Sequence, residues 1–321
     1  SLHIRLLPLY FSCLLSFSAN AGLFDNIVQD GTGHGNGFVV PNEFNYLSFT
    51  PSLRDKQNVL ISVGTFRAFQ AAAVGNFQYA IFLDYAQEVT TFNHYLANVI
   101  KNSSNRVDFL DHLFAYKNVT TALDNRNESI VINSLALNQR SNQNMDRSQF
   151  LKAMIRIYQD PKTKNENFLT SDYLFEKIKS MIQQDRIKIL NGSLSGNDTL
   201  SDLADVLRQN KMTVSVLDIS NALDYIVQYQ EFNSFLANVR RLPMNPDASV
   251  LFTLTISGDL KLAPQVQNGW VYLDFPIEKY KAYLNGLFKI RPYNLSEEYL
   301  NIVPTLIPLG LPAMRTCHNL Y

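Results

Sequence analysis

The chain has 321 residues, of which 46% are apolar, and its 28 basic side chains are balanced by 28 acidic ones. A chain of this length and composition can bury the core of one large domain or of two ordinary ones. Because the charges balance, the composition gives no support to nucleic-acid binding, and we expect no nucleic-acid partner.

Residues 1–21 have the three parts of a secretory signal. A basic start with Arg5 precedes an apolar run over residues 6–17, and Ala19 and Ala21 form an A-x-A cleavage pattern. The run is shorter than the roughly 20 residues needed to cross a bilayer. We therefore expect cleavage near Ala21 and an exported protein, periplasmic or secreted, without a stable membrane span in its mature form. An uncleaved interfacial anchor is the alternative.

Residues 22–37 are predicted to be a glycine-rich linker. The stretch 31–37 superficially resembles a phosphate-binding loop. It lacks the Gly-Lys-Ser/Thr ending, and no apolar strand precedes it, so a flexible linker is the better interpretation. Neither His34 in this stretch nor the other histidines have metal-ligand spacing, and we expect no metal site.

From Phe38 onward the sequence pattern predicts alternating strands and helices. Residues 59–63 predict a strand buried on both faces, and residues 65–74 predict the helix after it. Residues 79–83 predict a second strand, and apolar side chains at helical spacing over 89–100 predict a second helix. Such alternation is typical of a parallel sheet with helices on both faces.

Residues 101–184 interrupt this alternation. The segment is polar and rich in Asn and Gln, and its amphipathic pieces at 150–158 and 173–182 predict helices. We interpret it as a helical insertion within a single domain, residues 38–321, because it is too polar to bury a large core alone.

Strand and helix patterns return after the insertion. The predicted elements are strands at 187–190, 214–217 and 250–256, and helices at 199–210 and 223–239. Residues 270–275 alternate between apolar and polar side chains, which is typical of an antiparallel edge strand, and a helix follows at 277–288. The predicted fold is therefore α/β: three layers around a Rossmann-like, mainly parallel sheet.

The residues just after each strand are the candidates for a ligand site, because ligands of open parallel sheets bind beyond the carboxyl ends of the strands. Gly64 lets a ligand approach the first turn closely, and the helix that follows offers free N–H groups. Asp84, which ends the second strand, is well placed to accept hydrogen bonds from ribose hydroxyls. The candidates are Gly64, Thr65, Arg67, Asp84, Tyr85, Ser193, Asp218, Asn221 and Tyr225.

This order of motifs resembles that of the class I S-adenosylmethionine-dependent methyltransferases over residues 55–290, apart from the insertion. Residues 216–226, Val-Leu-Asp-Ile-Ser-Asn-Ala-Leu-Asp-Tyr-Ile, are the most similar to that family, in its fourth strand and following helix. The resemblance implies a methyltransferase-like fold, S-adenosylmethionine as a small-molecule cofactor and transfer of its methyl group to an acceptor that the sequence does not identify.

The resemblance also implies roles for single residues. Gly64 would face the methionine part of the cofactor, Asp84 the ribose hydroxyls and Ser193 the adenine, with Thr65, Arg67 and Tyr85 beside them. Three side chains after the fourth strand would orient the acceptor: Asp218, Asn221 and Tyr225.

Several of these residues have a structural interpretation as well. Gly64 can be a turn residue alone, and Asp84 and Asp218 can cap the helices that follow them. Arg67 can hold a ligand carboxylate or phosphate, or it can pair with Glu43. The single glycine of the first loop, Gly64, favours an alternative function, a secreted binding or effector protein that keeps the fold without turnover, whereas Asp84 favours the enzyme.

Overall fold

The computed structural model describes residues 22–31, 43, 46–125, 144–228, 231–255 and 270–289. The expected leader, residues 1–21, and the second part of the expected linker, residues 32–37, lie outside these ranges. Within the described ranges, no helix combines the length and the hydropathy that a membrane crossing requires.

The described residues form one sheet of six strands in the order β3-β2-β1-β4-β5-β6. The strands are β1 (Val59–Ser62), β2 (Tyr79–Asp84), β3 (Ile187–Asn191), β4 (Val214–Ser220), β5 (Met244–Thr255) and β6 (Trp270–Pro276). The first five run parallel to their neighbours, and β6 runs antiparallel to β5 at the edge. The predicted Rossmann-like, mainly parallel sheet is thus confirmed, and so is its antiparallel edge strand.

Helices connect the strands. They are α1 (Thr50–Leu53, after a 3-10 turn at Tyr46–Phe49), α2 (Phe66–Val74), α3 (Gln87–Asn102), α4 (Arg106–Phe114), α5 (Val119–Asp124), α6 (Asn144–Gln159), α7 (Asp172–Gln183), α8 (Thr199–Gln209), α9 (Ala222–Gln228), α10 (Phe232–Arg241) and α11 (Ile277–Lys289). The prediction of a single long helix after β4 is wrong. The chain forms α9 and α10 instead, because the Glu231 N–H bonds back to the Ile226 carbonyl and ends the first helix.

Both faces of the sheet are covered, because successive side chains of a strand point to opposite sides. In β1, Val59 and Ile61 join a core formed with α8, α10 and α11, whereas Leu60 joins a core formed with α2 to α7. These are the three layers that the sequence predicts, and they explain why β1 is apolar at nearly every position.

The predicted insertion, residues 101–184, contains α4, α5, α6 and α7 in its described part. Although its composition is polar, Phe109, Leu113 and Phe175 are fully buried and extend the second core beneath α2 and α3. Helices that cover a core on one side only need few apolar residues, so a polar sequence is compatible with this packing.

The predicted linker, residues 22–37, is described as far as residue 31. In this part Phe24 and Ile27 are buried in the first core, and the Phe24 ring packs edge-on against the ring of Tyr79 at 5.2 Å. Residues 22–31 therefore lie against the domain.

Candidate functional site

The carboxyl ends of the parallel strands bring the predicted residues to one edge of the sheet. Ser62 at the end of β1 lies opposite Phe82 of β2 and opposite Asp218 of β4. On the other side of β2, Asp84 pairs with Asn191 at the end of β3. The turns that follow these strands are consequently neighbours, as the sequence predicts.

Gly64 makes a sharp turn between β1 and α2. Its φ is 82°, in the left-handed region that favours glycine. Its N–H donates to Asp84 Oδ2 at 3.2 Å, and its carbonyl accepts from Asn93 Nδ2 at 2.9 Å. Apart from chain neighbours, no atom of the described residues lies within 4 Å of the place that a Cβ would take. The side chains of Asp84 and Asn93 thus fix the turn, and the described residues leave the space at the Gly64 Cβ position unfilled.

Asp84 is the side chain that fixes this turn from β2. Its Oδ2 accepts from the Gly64 N–H, and its Oδ1 accepts from the Ala86 N–H at 2.9 Å. The carboxylate is half-buried, so part of it faces solvent at the edge of the sheet. The two backbone donors fix the orientation of the carboxylate.

Thr65 stands at the N-cap position of α2, but its side chain makes no cap hydrogen bond. Its Oγ1 is buried and has no hydrogen-bond partner among the described residues. The first helical residue, Phe66, is also fully buried and packs beside Phe92 of α3. The side chains that directly follow Gly64 therefore face the core.

Arg67 forms a buried ion-pair network. Its Nε lies 2.8 Å from each carboxylate oxygen of Asp218, and its Nη1 donates to Glu43. The guanidinium also packs over the Phe49 ring, 4.9 Å from the ring centroid. Arg67 is 5% exposed, and Asp218 and Glu43 are 1% exposed. Of the two alternatives that the sequence leaves open for Arg67, the structure contains the pair with Glu43.

Electrostatics keep the Arg67 guanidinium charged. Burial alone would lower the pKa of Arg67, but the charges of Asp218 and Glu43 outweigh burial and raise it above its ordinary value. Burying an unpaired charge is costly, and here each charge has an opposite charge at hydrogen-bond distance.

Two serine hydroxyls complete the network, which we call the β4 network: Glu43, Ser62, Arg67, Asp218 and Ser220. Ser62 donates to Asp218 Oδ2 at 3.1 Å, and Ser220 donates to Glu43 Oε1 at 2.6 Å. Ser220 has a φ of 52°, which is uncommon for a residue with a side chain. Side chains from β1, α2 and residue 43 therefore bond to those at the end of β4.

The remaining predicted acceptor-facing residues lie just beyond this network. Asn221 is half-buried, and its Oδ1 lies 3.3 Å from Ser220 Oγ. Tyr225 is half-buried on α9, one turn further along. The roles of Asp218, Asn221 and Tyr225 in orienting an acceptor stay predictions.

The turns after β2 and β3 are tied to each other. Tyr85 is 38% exposed, and its carbonyl accepts from Asn191 Nδ2 at 3.1 Å. Ser193 is half-buried, its N–H donates to Asp30 Oδ1 at 2.9 Å, and its Oγ lies 3.1 Å from Ser195 Oγ. Contacts of Tyr85 and Ser193 with a cofactor likewise stay predictions.

Sequence reasoning misses two side chains that organise this edge. Asn93 lies on the buried stripe of α3 between Val89 and Leu96, and a polar residue on such a stripe could have identified it. Asp30 lies in the predicted linker, where no periodic pattern points to a partner.

Three comparisons with known proteins bear on this geometry. Residues 38–291 match the model of a family described as "Domain of unknown function (DUF7790)". The chain belongs to this family. Comparison with curated proteins gives no match for this DUF7790 member.

A solved structure similar to this DUF7790 chain is the rRNA methyltransferase aviRa from Streptomyces viridochromogenes. The two chains are 11% identical, the match covers 80% of this chain and 92% of the other, and the TM-score is 0.33. At that TM-score the similarity carries no argument about function, and the fold assignment rests on the strand order and directions given above.

The residues at this edge fit part of S-adenosylmethionine. The described residues leave room at the Gly64 turn, and Asp84 has an oriented carboxylate at the end of β2, the position suited to ribose hydroxyls. In the β4 network the Arg67 guanidinium is paired with the carboxylates of Asp218 and Glu43, and all three side chains are buried. Among the described residues, no group of His, Cys, Asp and Glu side chains could hold a metal ion.

Proposed function

We propose that the protein binds S-adenosylmethionine at the Gly64 turn and the Asp84 carboxylate, as a methyltransferase or a diverged relative of one. One observation carries the proposal: Asp84 is oriented by two backbone N–H groups beside a left-handed glycine, and apart from chain neighbours no described residue lies within 4 Å of the Cβ position of that glycine. In Rossmann-like folds an acid about 20 residues after the first glycine turn accepts a hydrogen bond from the ribose, and Asp84 has this position relative to Gly64.

The chain's own residues would bind the cofactor and orient the acceptor. Asp84 accepts hydrogen bonds from the ribose hydroxyls, and Gly64 lets the ligand approach the N-terminus of α2. S-adenosylmethionine supplies an electrophilic methyl group when bound. Transfer then depends on holding the acceptor in line with that methyl group, which needs few dedicated catalytic groups. Within this proposal Asn221 and Tyr225 face the acceptor, and Asp218 holds them in place through the end of β4.

Calorimetry with S-adenosylmethionine and S-adenosylhomocysteine tests the proposal. We expect the chain to bind both and Asp84→Asn to bind them about ten- to a hundredfold more weakly, since a hydrogen bond to a charged group contributes about 1.5–3 kcal/mol. Asp205→Asn, at an exposed carboxylate on α8 paired with Arg208, is the control and should bind as the wild type does. Absence of binding by a folded wild-type chain would contradict the proposal.

A second candidate is a binding or effector protein that keeps the fold without turnover. The β4 network favours it, because the acid nearest to the expected transfer site is 1% exposed and is held by Arg67. Incubation of the chain with methyl-labelled S-adenosylmethionine and a cell extract separates the two candidates. The enzyme is supported if a component of the extract becomes labelled only when the wild-type chain is present. Binding of S-adenosylmethionine without transfer of the label supports the second candidate.

We also propose that the protein is exported. The basic start, the apolar run of residues 6–17 and the Ala19-x-Ala21 pattern support this. Sequencing the N-terminus of the exported product should give Gly22 as its first residue. A product that keeps residues 1–21 would contradict cleavage. An exported methyltransferase would depend on S-adenosylmethionine supplied from outside its own cytoplasm, for example by a host cell.

A further inference from the structure

Residues 22–31, which we call the strap, lie against the first core and end at the carboxyl end of β3. Phe24 and Ile27 anchor the strap in that core. At its other end, Gln29 Oε1 accepts from the Asn191 N–H at 2.7 Å, and the Gly31 N–H donates to the Asn191 carbonyl at 3.1 Å. The strap therefore bonds to both backbone groups of the last residue of β3.

The close approach at this point requires glycine. A Cβ on Gly31 would lie 2.4 Å from the side chain of Asn191, which is closer than non-bonded atoms come. Asn191 in turn donates through Nδ2 to the carbonyls of Asp84 and Tyr85 at 3.0 and 3.1 Å. A continuous set of hydrogen bonds thus joins the strap to the turn after β2.

Asp30 connects the strap to the loop after β3. Its carboxylate accepts from the N–H groups of Ser193, Asp198 and Thr199 at 2.9, 2.9 and 3.3 Å, and from Thr199 Oγ1 at 2.7 Å. A Cβ on Gly196 would lie 2.0 Å from Asp30 Oδ2, so the loop passes close to the carboxylate.

These donors include the first N–H groups of α8, which lack partners inside the helix. The residue at the N-cap of α8, Asp198, makes no side-chain cap bond. Asp30 therefore caps this helix from a distant part of the sequence, where a negative charge is favoured by the helix dipole. Partial burial raises the pKa of Asp30, but the hydrogen bonds from Ser193, Asp198 and Thr199 outweigh burial and hold it below its ordinary value.

The opposite side of the loop at 192–198 is held by the helices after β4. Asn238 Nδ2 donates to the carbonyls of Leu194 and Gly196 at 3.0 and 2.7 Å, and Ser195 Oγ donates to Glu231. Loop N–H groups bond to Asp30 and loop carbonyls bond to Asn238, so the loop conformation depends on both partners.

We propose that Asp30 is a positioning residue that holds the loop at 192–198, and with it Ser193, in the conformation that receives the adenine end of the ligand. The strap then belongs to the binding site although it ends nearly 30 residues before the first strand begins. That a ligand binds at this loop rests on the proposed function. The hydrogen bonds by which Asp30 fixes the loop do not depend on that function.

Hydrogen exchange, which needs no ligand, tests whether Asp30 fixes the loop. In Asp30→Ala and in Asp30→Asn, which keeps the side-chain size, we expect the amides of Ser193 and Thr199 to exchange about two- to fivefold faster, because loss of a charge-assisted cap costs about 0.5–1 kcal/mol. Asp25→Ala, at an exposed position of the same strap, is the control and should leave these amides unchanged. Unchanged exchange in both Asp30 variants overturns the proposal.

Binding of adenosine and of S-adenosylhomocysteine separates a positioning role from a structural one. We expect the Asp30 variants to lose about tenfold in affinity for both ligands, because both contain adenine. Faster exchange with unchanged or tighter affinity overturns the positioning role. If the wild-type chain binds neither ligand, the proposed function and the ligand part of this proposal both fail, while hydrogen exchange still decides whether Asp30 holds the loop.

Discussion

The two ends of the site contain the same kind of residue in opposite surroundings. Asp84 ends β2, accepts from two backbone N–H groups and is half-exposed beside the Gly64 turn. Asp218, near the end of β4, faces the Arg67 guanidinium and is almost fully buried. Two acids at the same edge of the sheet therefore differ in their partners: Asp84 is held by backbone N–H groups, and Asp218 is held by a buried guanidinium.

The largest expected effect comes from breaking the β4 network. Arg67→Met leaves the carboxylates of Glu43 and Asp218 buried without their cation, and we expect a loss of about 3–5 kcal/mol in the free energy of unfolding. Urea denaturation measures it. Arg54→Met, at a 62% exposed side chain 3.9 Å from Glu166, is the control and should change stability by less than about 1 kcal/mol. Equal losses in the two variants would show that the network does not stabilise the fold.

A smaller loss of stability is expected when the Ser220 hydroxyl is removed from the β4 network. Ser220→Ala removes the donor to Glu43, and we expect a loss of about 1.5–3 kcal/mol, since the bond is to a charged group in a buried place. Ser104→Ala removes a similar bond to Asp108 on the exposed surface and should cost a few tenths of a kcal/mol. If chemical denaturation gives the same loss for both serines, burial does not strengthen the bond at β4.

The Gly64 turn should depend on its backbone rather than on packing. Gly64→Ala has room for the methyl group, so we expect only the cost of the left-handed conformation, about 1–2 kcal/mol, in thermal or urea unfolding. Lys211 has a φ of 55° at an exposed position, and Lys211→Gly should be neutral or stabilising for the same reason. A loss well above 2 kcal/mol in Gly64→Ala would show that the space is filled.

The smallest effect concerns the strap and its dependence on pH. The pKa of Asp30 is lower in the folded chain than in the unfolded chain, so its contribution to stability is complete above the unfolded pKa and is lost as the pH falls through the folded value. We expect Asp30→Asn to be less stable by about 0.3–1 kcal/mol at neutral pH, and the difference to shrink below about pH 4. An equal difference at pH 7 and pH 3 would contradict the ionic origin of the cap.

The sequence predicted the sheet better than it predicted the site. Residues 79–83 and 187–190 are apolar runs between turn residues, and such runs form buried strands wherever they lie in the chain. Asn93 was missed because it lies within a helix, although its position on a buried stripe was a readable signal. Asp30 carried no local signal, since its partners at 193–199 lie more than 160 residues away.

The sequence by itself determined the order of the strands along the chain, the antiparallel edge strand and the acid that ends β2, because these depend on local periodicity and on turn residues. Only the tertiary structure decided that Arg67 pairs with Glu43 and Asp218, that Asp84 is bound to the backbone of the Gly64 turn, and that Asp30 caps α8. Each of those choices depends on which charges meet inside the fold, and burial makes an unpaired charge too costly to leave.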